Sequence, residues 1–310
     1  MLTRLLRVIA ASLALLAGIA AVFLLWPDGR PHVQTSFAKG VLASREQDGI
    51  GYVLYVPTTI DETQPITPLI ALRGVGVGAQ AFAETLVADA EAYGWMLIVP
   101  NYSYGDWRLL EDLKADARKE LPWMKNLLDV LPRETGLALR DRVLVYGFSR
   151  GAQTAHRFAL AYPNKVLAVA TMSGGTYTLP KENSTIANHP SPLTFPIGVS
   201  DLDKYCGRPF DIAALKKVSF WVGVGALDNA PGDLPRVWDP YLGTTRVDRA
   251  KAFAKAVRDL GATAEMSVIP GIGHQESAKS RSEAFGFLKG VEIGSLGGTA
   301  GQDGATDGSQ

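Results

Sequence analysis

A chain of 310 residues with 47% hydrophobic residues has apolar material for one large core, and a charged fraction of 20% excludes wholesale disorder. Lys and Arg total 31 against 31 Asp and Glu, and this zero balance disfavours a general nucleic-acid binder, whose affinity comes from clustered cations on phosphates. The single cysteine, Cys206, excludes an intramolecular disulfide framework and any Cys-based zinc finger.

Arg4 and Arg7 precede an uncharged run from Val8 to Trp26, closed by Pro27-Asp28-Gly29. A helix over that run, at ~1.5 Å per residue, just crosses the ~30 Å hydrocarbon layer of a bilayer. A cleavable signal normally has a shorter apolar region followed by small residues, as Gly18-Ile19-Ala20 would supply. Residues 1–27 are therefore expected to form an uncleaved membrane anchor, with a removed signal as the alternative. In either case the remainder lies on the extracytoplasmic side, because Arg4 and Arg7 hold the short end in the cytoplasm. A polar linker is expected over 28–48.

From there the chain alternates. Short apolar runs at Gly51–Val56, Leu69–Leu72, Trp95–Val99, Val143–Tyr146, Leu167–Ala170, Phe220–Val224 and Met266–Ile269 each stop at Gly, Pro or polar residues. Runs apolar throughout suit strands covered on both faces. Helical patterns fill the gaps at Ala79–Tyr93, Trp107–Leu128, Gln153–Tyr162 and Arg246–Leu260. Strands alternating with helices imply one α/β domain over 49–290, built on a mostly parallel sheet with right-handed crossovers. In such sheets ligands bind at the carboxyl ends of the strands. Residues 177–217, rich in Pro, separate two strands by more than a crossover needs and are expected to be a lid over the site. The Gly-, Ser- and Asp-rich stretch 291–310 is expected to be a disordered tail.

The strand ends carry the chemistry. Gly147-Phe148-Ser149-Arg150-Gly151 lies at a strand-to-helix junction. In a nucleophile elbow the chain reverses so tightly that side chains two residues either side of the serine would clash, which calls for glycine there. The turn lifts the hydroxyl off the sheet and sets the next amide, that of Arg150, at a helix N-terminus where it can stabilise an oxyanion. In a chain with 32 Gly the bare pattern is weak evidence, and its position between strand and helix is what gives it weight. An idle N-cap serine is the bland alternative.

A serine hydroxyl needs a base to take its proton, and the base needs a carboxylate to fix its tautomer. On such a sheet the acid comes first and the histidine second, each just after a strand. Asp228 follows Phe220–Val224 in Gly225-Ala226-Leu227-Asp228, with Asp233 and Asp239 as fallback acids on the same loop. Of the four histidines, His32 lies beside the anchor, His156 sits two turns beyond Ser149, and His189 precedes the acid. Only His274, in Gly271-Ile272-Gly273-His274 after Met266–Ile269, has both the order and the placement. Leu72-Arg73-Gly74-Val75 follows an earlier strand, and the Val75 amide is the candidate second oxyanion donor. The same loop lacks the lysine of a phosphate-binding loop, and its glycine spacing does not match the dinucleotide fingerprint.

These motifs resemble those of the α/β-hydrolase superfamily of serine hydrolases, over roughly residues 50 to 290, and most of all secreted esterases of the polyhydroxybutyrate-depolymerase and feruloyl-esterase type. The resemblance implies an eight-stranded, mostly parallel sheet with helices on both faces, acyl-enzyme chemistry on a small or polymeric ester, and no cofactor or metal. Many relatives carry His-Gly where this chain has Arg73-Gly74, a change that keeps the backbone donor. Arg73, Tyr102, Tyr104, Trp107 and Trp238 are candidate pocket residues, as is Tyr241, since aromatics with polar tips suit aryl or sugar-linked esters. Cys206, without a base beside it, reads as a packing residue. A serine peptidase or amidase on the same fold and a non-catalytic ligand-binding domain are the competing expectations. A metal-dependent hydrolase is disfavoured by the scarcity of His and the lack of HExxH.

Overall fold

The computed structural model describes residues 38–184 and 190–299. The expected N-terminal anchor, with His32 and His189, lies outside them. No helix among the described residues is long and apolar enough to cross a membrane.

In chain order the elements are β1 (Leu42–Gln47), β2 (Ile50–Tyr55), β3 (Thr67–Leu72), α1 (Ala79–Glu84), α2 (Val87–Tyr93), β4 (Trp95–Pro100), α3 (Leu110–Thr135), β5 (Val143–Phe148), α4 (Arg150–Ala161) and β6 (Val166–Met172). They continue with a two-strand hairpin, β7 (Asn183–Ser184) and β8 (Ser191–Pro192), then α5 (Asp203–Cys206), α6 (Ile212–Leu215), β9 (Ser219–Gly225), α7 (Asp239–Leu242), α8 (Arg246–Asp259), β10 (Thr263–Ile269) and α9 (Ala278–Thr299). Eight strands make one sheet in the order β1-β2-β4-β3-β5-β6-β9-β10. β1 and β2 are antiparallel to their neighbours, and all other pairings are parallel.

The continuous apolar character of the inner strands has the expected cause, whereas β10, expected to be covered on both faces, is a half-exposed sheet edge. Along β5, Val143 and Val145 enter one core while Leu144 and Tyr146 enter the other. β3 alternates likewise, with Ile70 and Leu72 on one side and Leu69 and Ala71 on the opposite one. Helices α3, α4 and α8 cover the first face, through residues such as Leu121, Phe158 and Phe253. Helices α1, α2 and α9 cover the second, through Phe82, Ala90 and Phe285. Because β5, β9 and β10 run parallel, their carboxyl ends open on one edge of the sheet, and Ser149, Asp228 and His274 follow them there.

Four expectations need correction. The stretch 28–48 is not all linker, since Leu42–Gln47 forms an edge strand paired antiparallel with β2. Its alternating, half-exposed residues carry charge, so it lacks the apolar run of the inner strands. The single helix expected over Ala79–Tyr93 breaks at Thr85, whose hydroxyl donates to Phe82 O at 2.8 Å and tightens the turn. The charged helix begins later than Trp107 and runs past Leu128 to Thr135, through Pro122 and Pro132, before Gly136 ends it with φ of 68°.

The tail expected over 291–310 is helical over 291–299, and residues 300–310 lie outside the described residues. α9 continues to Thr299, and Glu292 on it is 5% exposed. Its carboxylate accepts from Trp95 Nε1 at 3.0 Å, Lys289 Nζ at 2.7 Å and the Thr67 hydroxyl. Three donors satisfy a charge that would otherwise be costly to bury, and they pin the helix beneath the amino ends of β3 and β4.

Candidate active site

The turn after β5 is forced by its two glycines. A Cβ on Gly147 would stand 2.4 Å from Gly151 O, and one on Gly151 would stand 2.0 Å from Leu72 O. No side chain fits either gap. Between them Ser149 takes φ 55° and ψ −114°, a conformation L-residues rarely adopt, and its amide donates to Met172 O at 2.9 Å. The strain is held by β3 on one side and β6 on the other, and α4 starts at the next residue.

The loops after β9 and β10 are joined to each other. Ala226 N donates to Ile269 O and Leu227 N to Ile272 O, both at 2.9 Å. A Cβ on Gly225 would meet Ile272 O and Gly273 O at 2.5 Å, so glycine is needed for this approach too. Tyr146 on β5 donates to Glu276 Oε1, two residues past His274. The histidine loop is thereby tied to the strand that carries Ser149.

On this frame Ser149 Oγ lies 2.8 Å from His274 Nε2, and His274 Nδ1 lies 2.8 Å from Asp228 Oδ2. The imidazole stacks on Phe148 with centroids 5.3 Å apart. Asp228 is 2% exposed, and its second oxygen accepts from Arg246 Nη1 at 2.9 Å. Burial pushes the Asp228 carboxyl up, but the hydrogen bond from His274 and the Arg246 guanidinium outweigh it and hold the group below the usual carboxylate range. An ionised carboxylate only accepts, so Nδ1 carries the ring proton and Nε2 presents its lone pair to the serine hydroxyl. This arrangement can draw a proton from Ser149 Oγ.

Gly74 packs against the elbow, with its missing Cβ position 3.4 Å from Ser149 Cβ, which brings the Gly74–Val75 peptide beside the serine. Neither the Val75 nor the Arg150 amide has an acceptor among the described residues. Two amides left open next to a nucleophile are what a developing oxyanion requires.

An open cleft of about 460 Å³ surrounds the serine. Val75, Phe148, His274 and Trp107 line one part, with Arg108 stacked 4.1 Å over the Trp107 ring. Gln153, Gly175, Asp233 and Arg246 line another. Of the six aromatic and cationic pocket candidates only Trp107 is in the cleft wall. Arg73 is 8% exposed and turns inward to donate to Tyr102 O, Gly74 O and Asn101 Oδ1 while its charge lies 5.4 Å from the Tyr104 ring centre. It braces the loop that carries Val75 and does not line the cleft. Tyr102 is buried edge-on against Trp123. Tyr104 donates to Arg73 O at 3.2 Å. Trp238 is fully buried, its indole donating to Tyr177 O at 3.1 Å, and the nearby Tyr241 packs against the core.

The described part of the expected lid, 177–184 and 190–217, does not cover the site either. No described residue of 177–217 lines the cleft. The segment instead packs beside α3 and α4: Tyr162 donates to Cys206 O at 3.0 Å, and Arg118 lies 4.7 Å over the Tyr205 ring. Cys206 is buried, burial pushing its thiol up, and it donates to Leu202 O. His156 donates from Nδ1 to Ala152 O and accepts from Thr178 N at Nε2, which leaves no site for a second proton, and burial holds it far below the usual imidazole range. It fixes the first turn of the insertion. Of the fallback acids, Asp233 stands 3.9 Å from Arg246 and Asp239 pairs with Arg249 at 2.7 Å. Among the described residues no group of three or more His, Cys, Asp or Glu could hold a metal ion.

Sequence reasoning missed Arg108, Phe148, Gln153, Gly175 and Arg246 as cleft residues and gave Asp233 only as a fallback acid. Gln153 had a signal, since four residues past Ser149 on a helix is the same face. Gly175 stood at a strand end. Nothing local marks Arg246, whose partner Asp228 is a separate loop.

The fold defined by this sheet order and elbow is that of the α/β hydrolases. No protein-family model matches the sequence, and no curated protein matches it. Solved structures do match. A poly(aspartic acid) hydrolase from Sphingomonas sp. KT-1 is 20% identical over 82% of this chain and 98% of its own, with a TM-score of 0.59. A poly(3-hydroxybutyrate) depolymerase from Bordetella parapertussis is 20% identical over 82% and 91%, with a TM-score of 0.60. A ferulic acid esterase is 17% identical over 81% and 96%, with a TM-score of 0.51. The structural neighbours are thus α/β-hydrolase esterases and depolymerases.

Proposed function

We propose that this protein is a serine hydrolase that cleaves carboxylic esters. Ser149 attacks the ester carbonyl, His274 takes the hydroxyl proton and returns it to the leaving oxygen, and Asp228 holds the imidazole and balances its charge. The Val75 and Arg150 amides receive the oxyanion. Water then attacks the acyl-enzyme, with His274 again the base. The observation that carries this reading is the unbroken pair of 2.8 Å contacts from Ser149 Oγ through His274 to Asp228. The poly(3-hydroxybutyrate) depolymerase and ferulic acid esterase among the structural neighbours support ester substrates, and the poly(aspartic acid) hydrolase keeps amides as the competing class.

The test is Ser149→Ala with a fluorophosphonate probe beside it. The purified parent should be labelled and should hydrolyse 4-nitrophenyl esters. The variant should lose both, with kcat/KM down about 10⁴-fold or more. A parent that stays unlabelled, or a variant that keeps its turnover, overturns the proposal. Matched ester and anilide substrates separate an esterase from an amidase. An extracytoplasmic location, tethered through residues 8–26, is proposed from the sequence alone, and membrane fractionation of the full chain tests it.

A further inference from the structure

Part of the cleft holds hydrogen-bond donors that the relay does not use. Arg246, with its side chain 6% exposed, places Nη1 on Asp228 and Nη2 on Asp233 O at 3.4 Å, while its buried Nε–H has no acceptor. Gln153 gives its carbonyl oxygen to Arg150 at 3.2 Å, and its amide nitrogen faces Gly175. A Cβ on Gly175 would stand 3.3 Å from Gln153 Nε2, 3.5 Å from Leu234 Cδ2 and 4.0 Å from Arg246 Nε. Gly175 is not among the residues with positive φ, so glycine serves here to leave room and not to permit a turn. The result is a notch with two donors and one apolar side, about one helical turn (~5.4 Å) from Ser149.

A buried donor without a partner costs about 1–3 kcal/mol, a cost that a bound acceptor removes. The charges around the notch decide what kind of acceptor. Arg246 is already balanced by Asp228, and Asp233, half exposed at the mouth, is 3.9 Å from the same guanidinium. Arg249, which donates to Gly175 O, and Arg150, which donates to Gln153 Oε1, are balanced in the same way by Asp239 and Asp116, so a carboxylate would add an anion beside Asp228 and Asp233 with no unpaired cation to meet it. A ketone, ether or second ester oxygen accepts from both donors without that repulsion. We propose that the ester substrate carries a neutral oxygen acceptor a few bonds from the scissile carbonyl, held in the notch over Gly175 by Gln153 Nε2 and Arg246 Nε. This rests on the esterase reading and adds the two residues, Gln153 and Gly175, that set specificity.

The experiment compares kcat/KM of the full chain on matched pairs. The first pair is 4-nitrophenyl 4-oxopentanoate against the pentanoate, and the second is 2-methoxyethyl butanoate against butyl butanoate. The acceptor-bearing ester of at least one pair should be preferred about tenfold, the effect of about 1.4 kcal/mol of binding. Gln153→Met and Gly175→Ala should each bring that ratio close to one. The ratio is internal to each variant, so a general loss of activity does not mimic the result, and Gly175→Ala asks only a small shift of the Gln153 amide. Equal rates within both pairs, a preference that survives both substitutions, or faster cleavage of the anionic 4-nitrophenyl hydrogen succinate than of the oxopentanoate overturns the proposal. A parent that cleaves no ester at all removes the esterase reading instead.

Discussion

Replacing Asp228 by Asn removes one charge, keeps the shape, and tests the relay through its surroundings. In the parent, the two carboxylate oxygens accept from two different donors, His274 Nδ1 at 2.8 Å and Arg246 Nη1 at 2.9 Å. An amide offers a single oxygen. Arg246 is donor-only and always charged, and a hydrogen bond to a charged group is worth about 1.5–3 kcal/mol, so the guanidinium claims that oxygen. The NH₂ then faces His274, which must accept at Nδ1 and carry its proton on Nε2, pointing at Ser149. In that tautomer the ring cannot take the hydroxyl proton. The expected fall in kcat/KM for a 4-nitrophenyl ester is about 10⁴-fold, or about 5 kcal/mol. Arg246→Met in the same chain frees the amide oxygen to turn back to His274, so the double variant should recover about 10- to 100-fold over the single one. Initial rates normalised to circular-dichroism-verified folded protein decide it. A single variant within 100-fold of the parent, or a folded double variant no faster than the single, refutes this account of the tautomer and of the part Arg246 plays in it.

Gly151→Ala should destabilise the protein by at least about 2 kcal/mol: the gain in helix propensity is ~1 kcal/mol, whereas a Cβ 2.0 Å from Leu72 O forces the end of β3 and the start of α4 apart. Thermal unfolding reads the loss, and an unchanged Tm would mean that the elbow is looser than described. Glu120 is buried on α3 beside Thr154, and burial, with Asp116 nearby, raises its carboxyl to about 7 despite the opposing charge of Arg150. The folded state therefore favours the protonated acid, so the stability it contributes is complete below about 4.5 and is lost as pH rises through about 7. Glu120→Gln, which cannot ionise, should stabilise the fold by about 3 kcal/mol at pH 8.5 and change it little at pH 4 in urea denaturation. An equal effect at both pH values would reject the assigned cause.

The elbow was legible in the sequence because its requirement is local. Five consecutive residues carry it, and the clash that excludes side chains at 147 and 151 follows from backbone geometry common to any strand-to-helix reversal. The acid and the histidine were legible for a related reason: a parallel sheet puts every strand's carboxyl end on one edge, so the residue types found just past two later strands narrow to Asp228 and His274. The pocket was not legible. Arg73, Tyr102, Tyr104 and Trp238 stand on plausible loops, but their direction depends on where a buried polar tip finds its partner, and each found one inside. The Trp238 indole donates to Tyr177 O, 61 residues away, and the Arg73 guanidinium to Tyr102 O. The described part of the insertion stays off the cleft because His156 on α4 and Tyr162 just past its end hold it against the helical layer.

The C-terminal helix shows the same division. The composition from residue 291 on reads as tail, and it is the packing of Phe285 and Leu288 in the core and the meeting of Glu292 with Trp95 and Thr67, 197 and 225 residues apart in sequence, that give the helix a place in the fold. Amino-acid order alone established the alternating strands and helices, the elbow and the succession of serine, acid and histidine, since each follows from steric and periodic rules acting within a few residues. Tertiary structure decided which side chains reach the cleft, what Arg246 holds, and what anchors the last helix. Those outcomes are pairings of buried donors and acceptors between distant segments, and they are settled only when the sheet closes and water leaves.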